Sequence, residues 1–170
     1  MQKETVDIID KNCNILYQTT KQEAHKKGLL HATIISEVKD SQERWMLVKQ
    51  AADRQDAGQY VSPVGGHVRA GESWEDALKR EALEEVGLKD FNFKYVGKVI
   101  FNRHVLSRQE NHYFIMYEIF SDAKPCLGPE SVGYKWFTDE DLKTGFKKTP
   151  GIFGDAFVFV VREFYPHLLL

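Results

Sequence analysis

Residues 66–88, GHVRAGESWEDALKREALEEVGL, confine the middle of this chain to a loop followed by a helix. Ser73 is placed to cap the helix N-terminus, Glu75 and Asp76 suit its first turn, and Gly87 can close it in the left-handed conformation. At the helical repeat, Trp74, Leu78, Ala82 and Val86 fall on one apolar stripe. Glu81, Glu84 and Glu85 lie beside that stripe, within about 100° of arc. These acids oppose folding where they stand. Near the negative end of the helix dipole each costs about 0.3–1 kcal/mol, and Glu81 with Glu85 at i, i+4 adds roughly 0.2–0.5 kcal/mol of repulsion. A divalent cation reverses the sign of all these costs. Arg80 stands i, i+4 from Glu84, close enough to orient a carboxylate. Oxygen-only ligands in this number favour a hard ion, Mg²⁺ or Mn²⁺, over zinc.

The spacing of Gly66, Glu72, Arg80, Glu81, Glu84, Glu85 and Gly87 resembles the Nudix box, the signature of hydrolases acting on nucleoside diphosphates linked to another group. The one departure is the small Ala82 at the first apolar position. The wider resemblance runs from about residue 4 to about 165. It implies an α+β fold, an α/β/α sandwich whose mixed, partly closed sheet lies between helices, with the box as a loop–helix–loop. It further implies that the Gly65 carbonyl and the side chains of Glu81, Glu84 and Glu85 ligate Mg²⁺ or Mn²⁺. Glu72 would brace the loop or reach metal through water, and Arg80 would hold Glu81. Glu81 is the box candidate for the base that activates water. Many relatives use an acid outside the box, for which Glu110 is the first choice here and Glu130 the second. An exposed loop acid is the competing reading of Glu130.

A second resemblance concerns VDIIDKNCNIL, EAHKKGLLHATI and GGHV, which look like the branch that includes type I isopentenyl-diphosphate isomerase. In that isomerase, histidines at three corresponding places help bind a metal with acids from a later strand. The matching residues are His25, His31 and His67, with Glu110 matching one acid and His112 replacing another. His31 alternates with apolar neighbours, which also suits a core histidine, and the spacing around His25 differs slightly. The isomerase carries a catalytic cysteine immediately before the Gly-His pair, where this chain has Gly65. Moving a proton on an unactivated alkene needs such an acid/base partner. The expected activity is therefore hydrolysis of a diphosphate bond, most simply in a nucleoside di- or triphosphate or related metabolite. A nucleotide-sensing module and an isomerase are the alternatives, and retention of the whole acidic cluster argues against the sensor.

A chain of 170 residues with 42% hydrophobic content suits one domain spanning 1–170. A net charge of −2 gives no basic field to draw it to nucleic acid or membrane. Cys13 and Cys126 lack metal-type spacing, in keeping with a reducing cytoplasm. With no signal-like start and no long apolar run, a cytoplasmic protein is expected. Dimers are common in the family the chain resembles, so a homodimer is a further expectation.

Thr5–Ile9 and Asn14–Gln18 pattern as a hairpin, within an N-terminal extension of about residues 4–18. A helix should follow at Lys21–Lys27, ended by Gly28. Strands are expected at Leu29–Val38, Trp45–Lys49, Phe93–Phe101, Tyr113–Phe120 and Tyr134–Phe137. Residues 51–62 should form a loop, Asp139–Leu142 should begin a short helix, and a C-terminal helix is expected at about residues 152–165. For substrate, Arg54, Arg69, Arg103, His104 and Arg108 are polar candidates to grip phosphates. Arg103 leads them because it follows an expected strand end. Tyr60 or Phe101 would stack on a base.

Overall fold

The computed structural model describes residues 2–170. In chain order the elements are β1 (Thr5–Ile9), β2 (Ile15–Thr20), α1 (Lys21–Lys27), β3 (His31–Lys39), β4 (Trp45–Gln50), β5 (Tyr60–Val61), β6 (Val64–His67), α2 (Trp74–Val86), β7 (Asn92–Val105), β8 (Arg108–Phe120), β9 (Ser131–Phe137), α3 (Asp139–Lys148) and α4 (Asp155–Phe164). The strands form one mixed sheet. β3 is its axis: eight of its nine residues are buried, the polar His31, Thr33, Ser36 and Glu37 among them, so the strand is covered on both faces. β8 lies parallel to it from His31 opposite His112 to Lys39 opposite Phe120. Along its other edge β3 meets β1, β6 and β4.

Strand alternation divides the core in two. Ile115, Tyr117 and Ile119 of β8 join Ile34 and Val48 against α2. Phe114 and Met116 point the other way, with Ile35, Trp45 and Leu47, against α4 residues Phe157, Val160 and Val161. The result is the expected α/β/α sandwich. The sheet is open, however, with β2 and β5 ending its main path, where partial closure was expected. On α2 the stripe buries Leu78, Ala82 and Val86 completely and adds Ala77, while Trp74 stays partly exposed. Complete burial of the Leu78 side chain contributes roughly 1.5–3 kcal/mol.

The largest departure from the sequence pattern is the β7–β8 hairpin. Its pairing continues past Phe101 to Val105 opposite Arg108. The turn is made by Leu106 and Ser107, both at positive φ (48° and 61°). Such a turn is ordinarily signalled by Asn or Gly, and neither is present, so the strands looked shorter than they are. Two smaller differences concern helix and loop ends. A single 3₁₀ turn, Pro150–Ile152, precedes α4, which begins at Asp155. The expected loop 51–62 ends in the short strand β5.

Candidate active site

The carboxylates are placed by local rules that the sequence obeys. Ser73 Oγ accepts from the Asp76 N–H, and Gly87 ends α2 at φ 69°. Gly66 is required by close approach: a Cβ there would lie 2.1–2.5 Å from the Glu81 carboxyl group. Arg80 binds the loop to the helix. Its Nε and Nη2 each donate to Glu72 at 2.8 Å, Nη2 also reaches the His67 carbonyl at 3.0 Å, and Nη1 donates to Glu81. Glu72 also accepts from the Arg69 N–H at 2.9 Å. Both Glu72 oxygens are thus engaged, one by Arg80 and the other by Arg80 and the Arg69 N–H.

Glu85 accepts from the Gly65 N–H at 2.8 Å, tying α2 to β6. Burial pushes the Glu81 carboxyl up to about 7 despite the Arg80 bond. Burial also drives Glu85 well up, aided by the charges of Glu81, Glu130 and Glu84. Glu84 is the exposed member, 3.7 Å from Arg80. Acids this close, two of them largely out of water, suit a counter-charge.

These residues form one wall of a cleft. Lys21, Arg54, Arg69, Arg80, Arg103 and Arg108 bring cationic groups to it. Against them stand Glu4, Asp56, Glu81, Glu84, Glu85, Glu110 and Glu130. Glu110 is buried and clamped, accepting from Arg103 Nε at 2.8 Å and Arg108 Nη2 at 2.7 Å. Burial opposes its charge, but Arg103 and then Arg108 outweigh burial and hold it below the usual carboxylate range. Arg103 also reaches Asp56 at 3.2 Å. Glu130 pairs with Arg54 at 3.2 Å at the cleft edge.

The four histidines converge from α1, β3, β6 and β8. One ring nitrogen from each of His25, His31, His67 and His112 lies within 4.8 Å of the others. His25 Nε2 is 3.1 Å from His67 Nε2 and 3.2 Å from His112 Nε2. His31 Nδ1 meets the Leu29 carbonyl at 2.7 Å, which fixes the proton on Nδ1. Its Nε2 lone pair is then directed inward, and that atom is buried without a partner. Burial, with the neighbouring rings, holds His25 down at about 4 and His67 and His112 well below the usual histidine range. Four neutral imidazoles around one point fit a borderline ion such as Zn²⁺. Glu110 does not complete this set, because the two arginines occupy it.

Three substrate candidates are not placed for the expected task. Tyr60 is not among the cleft-lining residues and packs edge-on against Phe137, ring centres 5.3 Å apart. Phe101 is buried, stacked on Phe114 at 5.0 Å and against Phe159 at 4.8 Å. His104 is exposed and outside the cleft lining. Arg103 lies within β7 rather than beyond its end. Sequence reasoning missed Lys21, Thr33, Asp56 and Ser62, all of which line the cleft. Only Lys21 carried a signal, one helical turn before His25. Neither Cys13 nor Cys126 lines it.

A model of the NUDIX domain matches residues 29–156. The chain belongs to the NUDIX family. An isopentenyl-diphosphate delta-isomerase of Aromatoleum aromaticum is 30% identical over 155 residues, covering 87% of this chain and 79% of that protein. An uncharacterized Nudix hydrolase of Yersinia pestis is 30% identical over 142 residues, covering 82% and 75%. A solved structure of a Deinococcus radiodurans protein is similar with TM-score 0.76 at 20% identity, covering 95% of this chain and 99% of that one. No helix among the described residues is long and apolar enough to cross a membrane.

Proposed function

We propose that this Nudix hydrolase is a pyrophosphohydrolase that uses Mg²⁺ or Mn²⁺ to cleave a diphosphate bond in a small metabolite. The observation that carries the reading is the convergence of Glu81, Glu84 and Glu85 on a cleft also lined by cationic side chains. Glu81, Glu84, Glu85 and the Gly65 backbone would hold the ion. Bound there, it would neutralise phosphate charge and lower the pKa of water. Arg80 orients Glu81. Arg54, Arg69 and Lys21, which line the cleft, would grip phosphate oxygens. Attack by water on phosphorus forms one P–O bond, breaks the bridging P–O bond and releases a proton. Glu81 is the better base, because Arg80 engages only one of its oxygens whereas both Glu110 oxygens accept from arginines. Glu110 instead anchors Arg103 and Arg108 at the cleft.

The histidine cluster would hold a second, chemically different ion, for which Zn²⁺ fits four nitrogen donors better than Mg²⁺ does. The inward, unpartnered His31 Nε2 supports this. Several relatives are named isomerases, so isopentenyl diphosphate belongs in the test. A panel of nucleoside di- and triphosphates, nucleotide sugars, dinucleotides, coenzyme A and isopentenyl diphosphate is assayed with Mg²⁺, Mn²⁺ or EDTA. Metal-dependent release of phosphate or a monophosphate product is expected. Conversion of isopentenyl diphosphate to its isomer without phosphate release would overturn the reading.

A further inference from the structure

Next to the cleft is a carboxyl group that the proposed reaction does not use. Glu37 of β3 is completely buried. Its Oε1 lies 2.5 Å from Ser62 Oγ, and its Oε2 has no partner. Directly across in register is Glu118 of β8. Glu118 takes the nearby donors: Lys39 at 3.3 Å, Lys94 at 3.4 Å and the Tyr165 hydroxyl at 2.5 Å. Glu37 is left in the interior beside a like charge, with no cation bonded to it. Burial pushes it up to about 8, against the Ser62 bond and Lys39 and with the help of Glu118.

A neutral carboxyl group carries an O–H that must find an acceptor. The hydrogen-bond partner of the Glu37 carboxyl is Ser62 Oγ. When Glu37 donates to that oxygen, the hydroxyl proton of Ser62 is released to donate elsewhere. When Glu37 is ionised, Ser62 must turn its proton back toward it and presents only lone pairs. Ser62 lines the cleft and stands three residues before Gly65. The proton on Glu37 therefore sets whether the cleft offers a donor or an acceptor at that point, and an anionic oxygen is attracted by the first and repelled by the second.

We propose that Glu37 is a positioning residue that, when protonated, turns the Ser62 hydroxyl into the cleft as a hydrogen-bond donor to an anionic oxygen of the substrate. The inference rests on the cleft being a diphosphate site. Its test is calorimetric titration of inorganic pyrophosphate with Mg²⁺ into wild type, Glu37→Gln and Ser62→Ala, from pH about 6 to about 10. A glutamine amide donates to Ser62 at any pH, so Glu37→Gln keeps the neutral-pH affinity. The wild-type to Glu37→Gln ratio cancels the ionisation of pyrophosphate itself, and it falls as Glu37 loses its proton. Ser62→Ala binds roughly tenfold more weakly at neutral pH and shows no such fall. The infrared difference spectrum of wild type minus Glu37→Gln at neutral pH, both in Mg²⁺, contains the carbonyl band of one protonated acid; Glu81 and Glu85 are the same in both proteins and cancel. Pyrophosphate binding unaffected by Ser62→Ala, or wild type and Glu37→Gln in parallel at every pH, overturns the proposal and leaves the hydrolase reading standing. No pyrophosphate binding by wild type overturns both.

Discussion

Replacing Glu85 with glutamine isolates the work of one charge. The amide oxygen of the new side chain can still accept from the Gly65 N–H, so the bond tying α2 to β6 at 2.8 Å survives. What disappears is a carboxyl group whose ionised form is opposed by burial and by the charges of Glu81, Glu130 and Glu84, a penalty the unfolded chain does not carry. Without metal the variant should therefore be more stable than wild type, by on the order of 1 kcal/mol. For a chain of this length that is roughly 2–4 °C in Tm. With Mg²⁺ the order reverses. Saturation at a hundred times Kd stabilises wild type by about 2.7 kcal/mol, or roughly 5–10 °C, whereas the variant has lost a charged ligand and gains little. Calorimetric melting in EDTA and in excess Mg²⁺ should show the two proteins exchanging rank. A Mg²⁺ shift in Glu85→Gln equal to that of wild type would refute the reasoning. So would a lower Tm for the variant in EDTA, since the carboxylate would then stabilise the fold without an ion.

Glu84→Gln should lower turnover by at least about a hundredfold with the circular dichroism spectrum unchanged, because Glu84 is exposed, its 3.7 Å approach to Arg80 contributes little, and the proposed metal contact is lost. The histidine cluster should bind one Zn²⁺ per chain, measured by elemental analysis after dialysis, and His31→Ala or His112→Ala should remove it. The same cluster gives the metal-free protein a pH dependence. Its histidines titrate lower when folded than when unfolded, so the unfolded chain takes up protons first on acidification. Their contribution is whole above the ordinary histidine value of 6.5 and is lost as pH falls toward the His25 value of about 4. Urea titrations across that window should show a declining midpoint that Zn²⁺ restores. Arg103→Ala leaves Glu110 and Asp56, both buried, short of a partner, and should cost about 3–5 kcal/mol in chemical denaturation.

What the sequence made legible was whatever local rules determine. The span of α2 follows from a cap at Ser73, a stripe through Leu78, Ala82 and Val86, and a left-handed stop at Gly87, all within one short segment. α1 ends at Gly28 by the same logic. The β7–β8 turn was hidden because Leu106 and Ser107 hold positive φ without the residues that advertise it. The aromatic candidates failed for a nonlocal reason. Tyr60 and Phe101 find ring partners at Phe137 and Phe114, distant in sequence, and a buried stack leaves no face for a base. Glu37 was invisible because a single acid in a β-rich run reads as a solvated position until β8 lies against it.

The two candidate metal sites show how closely adjacent residues can carry different chemistry. In β6, Gly66 lies opposite Ile34 and His67 opposite Thr33. Neighbouring strand residues turn their side chains to opposite faces, so one step along the chain separates an oxygen environment from a nitrogen one. Gly66 has no side chain because the Glu81 carboxyl group fills the space a Cβ would take. His67 instead carries its ring to His25, 3.1 Å away between Nε2 atoms, while its own carbonyl accepts from Arg80. Hard carboxylates and neutral imidazoles select different ions, and the arginines on Glu110 withhold from the histidines the one buried acid beside them. The separation therefore has a chemical cause as well as a geometric one. Arg103 and Arg108 keep the histidine set purely nitrogenous, and Arg80 keeps Glu72 and Glu81 on the carboxylate side. Loss of the Glu110 clamp should accordingly shift the metal preference of the histidine cluster toward harder ions before it alters the carboxylate cluster at all.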